Sequence, residues 1–250
     1  MNTVAVEHAS PNQAKVVKIE WNMGKRCNFN CSYCDEFTHD HKSKHMSFEV
    51  AQRTIDKIVS KLPGRRFKIN LTGGEPTVNP NFEKILDYMY SKGIDVGLTT
   101  NGSRTLEFYK RILPKLASFI VSYHMEYHKR EVIPENIVAL KKLALEQDRY
   151  IHVHVHMMML PTTFDEAKEA IEYLKENDVP VVMRRIRPAR MKQHPDSKFN
   201  EKGQLIEGPI SRPFYDGIVT QLFKNGSPYY GGDKDYYSED EIEFLENAGV

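Results

Sequence analysis

Six stretches of the chain alternate apolar and polar residues or carry β-branched runs, and segments with helical spacing lie between them. The strand-like stretches are AKVVKIEW (14–21), RFKINL (66–71), DVGLTT (95–100), SFIVSY (118–123), IHVHVHMMM (151–159) and VPVVMRRI (179–186). A period of two marks strands with two unlike faces. Helical spacing runs through SFEVAQRTIDKIVSKL (47–62), with Ser47 placed as an N-cap. It runs also through NFEKILDYMYSKG (81–93), with Gly93 placed just past a helix end. RTLEFYKRIL, PENIVALKKLALEQ and TFDEAKEAIEYLKEN continue the series. The connections are too long for hairpins, so the pattern reads as parallel βα units. Six units fit either an open, partial barrel or a doubly wound sheet, and periodicity does not separate the two.

In a barrel wrapped by helices the apolar face of each strand goes outward and the other face lines the lumen. Val17, Ile19 and Trp21 then send Lys18, Glu20 and Asn22 inward. Ile69 and Leu71 leave Asn70 and Thr72; Val96 and Leu98 leave Thr99 and Asn101. Phe119, Val121 and Tyr123 leave Ser122 and His124; Val153, Val155 and Met157 leave His152, His154 and His156. Either parity of the sixth strand carries an arginine. Sending Val182 and Ile186 outward places Arg185 and Arg187 inside. Closed barrels fill this space with Val, Ile and Leu, whereas here it is polar and rich in His and Arg. A polar substrate bearing carboxylate or phosphate is expected, with His124, His156, Arg185 and Arg187 lining its site.

After residue 190 the regular pattern stops. Residues 191–237 are rich in Pro, Gly, Asn and Tyr, with one helix expected near 214–224, and SEDEIEFLENAG (238–249) reads as an acidic helix whose Ser238 and Glu241 form a capping box. The expected organisation is an N-terminal extension (1–14), a core domain (15–190) and a C-terminal extension with short helices (191–250).

The 250 residues carry 35 Lys and Arg against 34 Asp and Glu, so no global basic field points to nucleic acid or an anionic membrane. The N-terminus lacks the pattern of a signal peptide, and no apolar run has the length of a membrane span. A cytoplasmic protein is expected.

All three cysteines fall within CNFNCSYCDE (27–36), spaced Cys27-x3-Cys31-x2-Cys34. Thiolates this close can converge on one metal centre. Structural zinc wants four ligands, and His39, His41 or His45 could complete a non-catalytic Cys3His module. An iron–sulfur cube also takes thiolates, normally four; three leave one iron open to a substrate or cofactor. The triad follows the first strand, at the edge where α/β active sites gather, and a zinc knuckle has no reason to prefer that place.

The triad, with Tyr33 as the aromatic before Cys34, resembles the signature of the radical S-adenosylmethionine (SAM) superfamily. LTGGEP (71–76), one βα unit later, matches its Gly-Gly-Glu-Pro motif. The resemblance spans about residues 15–187 and favours the partial (β/α)6, TIM-like barrel with an irregular C-terminal extension. It implies that Cys27, Cys31 and Cys34 hold a [4Fe–4S] cluster whose fourth iron binds SAM. It implies that Gly73, Gly74 and Glu75 meet the methionyl amine and that Tyr33 lies near the adenine. Asn101, in TTNG, and Ser122 are implied as further SAM contacts. Reductive cleavage of SAM would give a 5′-deoxyadenosyl radical that takes hydrogen from substrate, with a flavodoxin or ferredoxin as the one-electron donor. The substrate would be a small metabolite, sugar or nucleotide-like molecule. A peptide-modifying core without its auxiliary-cluster domain and a glycyl-radical-enzyme activase are the alternatives. Peptide-modifying members often read Ser-hydrophobic-Asp-Gly where this chain has SYHM, with His124 in place of Asp.

Overall fold

The computed structural model describes residues 4–7, 16–31, 33–34, 39–127, 132–186, 198–199, 205–207 and 237–249. The sheet begins with an antiparallel pair that the hydrophobic pattern does not announce: β1 (Val4–Glu7) lies against β2 (Val16–Asn22). Then β3 (Arg66–Thr72), β4 (Asp95–Thr100), β5 (Leu116–Tyr123), β6 (His152–Met159) and β7 (Val181–Arg185) follow, each parallel to the one before. The helices α1 (Phe48–Lys61), α2 (Phe82–Ser91), α3 (Leu106–Ile112), α4 (Val132–Leu145) and α5 (Phe164–Glu176) make the crossovers. Spatial order equals chain order from β1 to β7. A doubly wound sheet reverses at a switch point; this one does not, so the architecture is the partial, TIM-like barrel.

The outer face is where period two put it. Val17, Ile19 and Trp21, Ile69 and Leu71, Val96 and Leu98, Phe119 and Val121, and Val153 and Val155 are all buried against the helices. Ser47 caps α1 by accepting from Val50 N, and Gly93 takes φ +68° just after α2. The inner face stays polar because half a barrel leaves it wet: Lys18 and Glu20 are exposed, and Asn70 bridges Glu20 and Thr99 at 2.8 and 3.2 Å.

The sixth parallel strand corrects the parity expected for it. His156 pairs with Val182 and Met158 with Arg184, so Val182 and Arg184 share the inner face with the histidines. Val181 and Met183 pack on the core, while Val182 is 40% exposed. Arg185 therefore points outward, its guanidinium 5.9 Å from the Tyr237 ring. Over 181–186 either parity offers two apolar residues and one arginine, and Arg185 on the outer side meets Tyr237, some fifty residues on. Arg187 and the helix expected near 214–224 lie outside the described residues.

Beyond the core, β8 (Lys198–Phe199) and β9 (Leu205–Glu207) form a short antiparallel pair. The acidic helix α6 (Glu239–Asn247) has both bonds of the expected capping box. It docks on α5 through Phe244, which meets Phe164 edge-on, and through the fully buried Leu245. Just before it, the Tyr237 hydroxyl shares its proton between Met159 O (2.9 Å) and Ile186 O (2.7 Å), tying the chain end to the tops of β6 and β7. Tyr237→Phe keeps the ring and takes the hydroxyl donor from Ile186 O, while Met159 O keeps Ile186 N at 3.4 Å, at a cost of about 1 kcal/mol. A lowered Tm is the expected reading; an unchanged one would mean that solvent replaces the hydroxyl. Among the described residues no helix is long and apolar enough to cross a membrane.

Candidate active site

The site is built where the β2–α1 loop meets the β3–α2 loop, above the carboxyl ends of the strands. The two loops continue the β2–β3 ladder past the sheet. Met23 N donates to Thr72 O at 2.8 Å, Gly74 N to Gly24 O at 2.8 Å and Glu75 N to Arg26 O at 2.9 Å. Gly73 and Gly74 are required by this contact. Gly73 has φ +131°, and a Cβ on Gly74 would stand 2.4 Å from the carbonyl oxygens of both Lys25 and Arg26. The close approach that the glycines permit is thus to the cysteine loop's own backbone, which brings the two motifs into register.

From that ledge the cysteine loop turns over the barrel mouth. Cys27 N donates to Asp40 O and Asp40 N to Lys25 O, both at 2.8 Å, so residues 39–41 fold back under the first cysteine. His41 Nδ1 lies 2.8 Å from Cys27 O, and the buried His39 lies 3.2 Å from Asn30 Oδ1. These histidines brace the loop backbone. Among the described residues no three His, Cys, Asp or Glu side chains are gathered closely enough to hold a single metal ion. Phe29 N donates to Cys27 Sγ (3.4 Å) and Cys34 N to Cys31 O (3.1 Å), and all three cysteines line one cleft.

Glu75 is placed differently from the expectation. Its side chain is 3% exposed and turned into the protein. One carboxylate oxygen accepts from Thr77 N (3.0 Å), Thr77 Oγ1 (2.6 Å) and Thr100 Oγ1 (2.8 Å), and the other accepts from Asn101 N (2.6 Å). It is a strut between the β3–α2 and β4–α3 loops, with its oxygens already supplied with donors. Burial raises its carboxyl above the usual range against the pull of those donors. Asn101 carries the strut onward, its Nδ2 donating to Asn28 Oδ1 at 2.9 Å and lying 3.8 Å from Cys27 Sγ.

On the far side stands His124, at the end of β5. Its Nδ1 lies 2.5 Å from Tyr33 Oη and 3.5 Å from Cys31 Sγ, and its ring stacks on Tyr33. Phe29 meets it edge-on and stacks on Tyr127. The sequence placed His124 in the lumen; it is instead a wall of the cysteine pocket, and burial lowers its imidazole to about 4.

Between these walls is a cleft of about 170 Å³ lined by Cys27, Cys31, Cys34, Gly73, Gly74, Glu75, Thr99, Asn101, Ser122 and His124. Roughly 10–15 Å³ holds one water, so the cleft that the thiols help to line is larger than a single ion needs. Three soft sulfur donors around such a volume fit a cluster. Burial pushes the Cys31 thiol up to about 12 and raises Cys27 too, so both stay protonated until an electropositive centre replaces the proton.

The triad, the glycines, Glu75, Asn101, Ser122 and His124 are thus brought together. His156 is one strand away, opposite Ser122, and Arg185 is on the other side of the sheet. Sequence reasoning missed Arg184, which reaches His156, and Thr77 and Thr100, which hold Glu75. Thr77 carries a signal in retrospect, as a short donor two residues after the carboxylate in EPT, whereas Thr100 is distant in sequence and carries none.

An open parallel barrel with three thiols over its mouth and a Gly-Gly-Glu ledge beside them defines a class of cluster-binding α/β protein. The family model described as the Radical SAM superfamily matches residues 21–186, and the chain belongs to that superfamily. Membership implies SAM and a [4Fe–4S] cluster. Relatives include a GTP 3′,8-cyclase of Staphylococcus epidermidis, 41% identical over 86 residues, covering 31% of this chain and 24% of the relative. An S-adenosylmethionine-dependent nucleotide dehydratase of Selenomonas ruminantium is 32% identical over 89 residues, covering 36% and 31%. Mycofactocin maturase MftC of Mycobacterium ulcerans is 30% identical over 86 residues, covering 34% and 22%. The chain therefore matches less than a third of the length of each of these enzymes. Among solved structures, anSMEcpe with bound AdoMet and Cp18Cys peptide superposes with a TM-score of 0.52 at 17% identity, covering 72% of this chain and 53% of that one. Streptococcus suis SuiB bound to precursor peptide SuiA gives 0.51 at 13%, covering 67% and 40%. Both are likenesses of fold.

Proposed function

We propose that the chain is a radical SAM enzyme acting on a small, polar, anionic substrate. Its core is residues 15–190, and Cys27, Cys31 and Cys34 hold the cluster. The observation that carries this is the cleft in which three thiols face the Gly73–Gly74 ledge. When bound there, a [4Fe–4S] cluster with SAM supplies a 5′-deoxyadenosyl radical able to remove hydrogen from substrate. The chain's own part is binding and placement. The backbone of Gly73 and Gly74 receives the methionyl end of SAM, Asn101 and Ser122 orient the nucleoside, and Tyr33 and His124 close the wall beside Cys31. Glu75 acts through the loops it joins and is a positioning residue.

The substrate lies on the inner face of β5–β7, next to Ser122. The donor-rich wall of His154, His156 and Arg184 favours a metabolite, sugar or nucleotide-like molecule over a peptide, and two of the relatives are named for nucleotide chemistry. The reaction takes place in the cytoplasm with a flavodoxin- or ferredoxin-like electron donor.

Anaerobic reconstitution with iron and sulfide tests the proposal. A brown protein with four irons per chain, bleached by dithionite and forming 5′-deoxyadenosine from SAM, is expected. A colourless protein holding one zinc, or a cluster that leaves SAM intact, would end the reading.

A further inference from the structure

A cluster of side-chain nitrogens sits on the inner face of β6 and β7. His154 Nε2 and His156 Nε2 are 3.2 Å apart, and Arg184 Nη2 lies 3.3 Å from His156 Nε2. A guanidinium only donates, so His156 Nε2 offers it a lone pair. His154 Nε2 faces that same lone pair. As an N–H it shares an acceptor already taken, and as a lone pair it is repelled. The other nitrogen of the ring, His154 Nδ1, is buried without a hydrogen-bond partner. Two nitrogens, Arg184 Nη2 and His154 Nε2, thus crowd a single acceptor, and an oxygen-rich anion relieves the crowding by accepting from both and from His156 once that ring is protonated.

The surroundings select for negative charge. Facing the pair are Ser118, Ile120 and Ser122 from β5, Val182 and Arg184 from β7, and His152 and Met158 along β6 itself; none is acidic. Burial first, then His156, His152 and Arg184, hold the His154 imidazole down to about 4. Burial and Arg184 do the same for His156. Both rings are neutral at pH 7 and can each take a proton as an anion arrives. The fixed charge of Arg184 counts against a metal cation. A carboxylate is satisfied by one guanidinium fork and leaves the imidazoles unused, whereas a phosphoryl group brings three strong acceptor oxygens.

Resting on the radical SAM reading above, we infer that His154, His156 and Arg184 form the seat of a phosphoryl group on a small-molecule substrate. His156 pairs across the sheet with Ser122, which lines the cysteine cleft. The phosphoryl end is therefore held about 4.8 Å, one strand spacing, to the side of the cleft, and the remainder of the molecule reaches toward it.

Calorimetric titration of the reconstituted full chain with inorganic pyrophosphate at pH 7, in two buffers of unlike ionisation heat, tests this. Saturable binding with net proton uptake is expected. Arg184→Gln, at an exposed position that does not threaten the fold, weakens it about tenfold or more, and His154→Gln or His156→Gln lowers the uptake. Absence of pyrophosphate binding, an unaltered affinity in Arg184→Gln, or equal affinity for succinate overturns the inference. A chain that binds pyrophosphate but cleaves no SAM counts against the proposed function and leaves the anion seat standing; one that cleaves SAM but ignores pyrophosphate does the reverse.

Discussion

Gly74→Ala is expected to destroy the site while leaving most of the barrel in place. The added methyl would stand 2.4 Å from two carbonyl oxygens, Lys25 O and Arg26 O, which belong to backbone and cannot rotate aside. The loops must part, breaking Gly74 N to Gly24 O and Glu75 N to Arg26 O. Displacement then passes to Cys27, whose N–H is held by Asp40 and through it by Lys25. Overpacking costs about 1–3 kcal/mol, and each lost bond adds about 1 kcal/mol. A shift of 1 Å in a positioned reactant costs about a hundredfold in rate. Cluster content should fall, and SAM cleavage should drop to about 1% of wild type or less. Gly64→Ala is the control: its φ is +73° but nothing lies within 4 Å of the added carbon. It should cost about 1 kcal/mol and leave cleavage untouched. If Gly74→Ala assembles its cluster and cleaves SAM normally, the loop ladder does not position the cysteines.

What the sequence made legible follows from where each signal is stored. Burial against helices is an average over many contacts, so Ile69, Val96, Phe119 and Val153 announce the outer face by alternation alone. The same alternation cannot choose between two equal halves. In VVMRRI each parity offers two apolar residues and an arginine, and Tyr237, some fifty residues on, decides it by taking Arg185 outside. β1 was invisible for another reason: VAVE has four residues and makes its case only by pairing with β2. The motif residues converge as their spacing suggested, but spacing says nothing of what each side chain touches. Gly73 and Gly74 suggested close approach to a ligand, and the backbone they approach is Gly24 to Arg26. Asn101 read as a SAM contact, yet half of its polar groups hold Glu75 and Asn28. Such local hydrogen bonding depends on loops meeting in space, which a linear pattern does not encode.

Glu75 offers the second large effect, because its four donors come from three residues, in the β3–α2 loop, at the end of β4 and just after it, and all are buried. Glu75→Ala leaves Thr77 N, Asn101 N and two hydroxyls without the acceptor they share. The hydroxyls can turn to other acceptors, such as Tyr109 Oη, which lies 3.1 Å from Thr100 Oγ1. The two backbone N–H groups cannot, and each buried, unsatisfied donor costs about 1–3 kcal/mol. With the cavity added, a loss of about 3–5 kcal/mol is expected, enough to leave a domain of ordinary stability largely open at the barrel mouth. Glu75→Gln separates charge from hydrogen bonding. Its amide oxygen can serve Thr77 or Asn101, but its NH2 then points at an N–H on the other side, so about 1–3 kcal/mol should be lost. The two variants should therefore rank Ala below Gln in Tm and in iron retained after reconstitution. A methionyl amine bound directly to the carboxylate predicts a different order. Gln would then keep near wild-type stability and cluster content, and would lose SAM affinity. Binding of SAM to both variants, measured beside their melting curves, distinguishes a strut from a ligand.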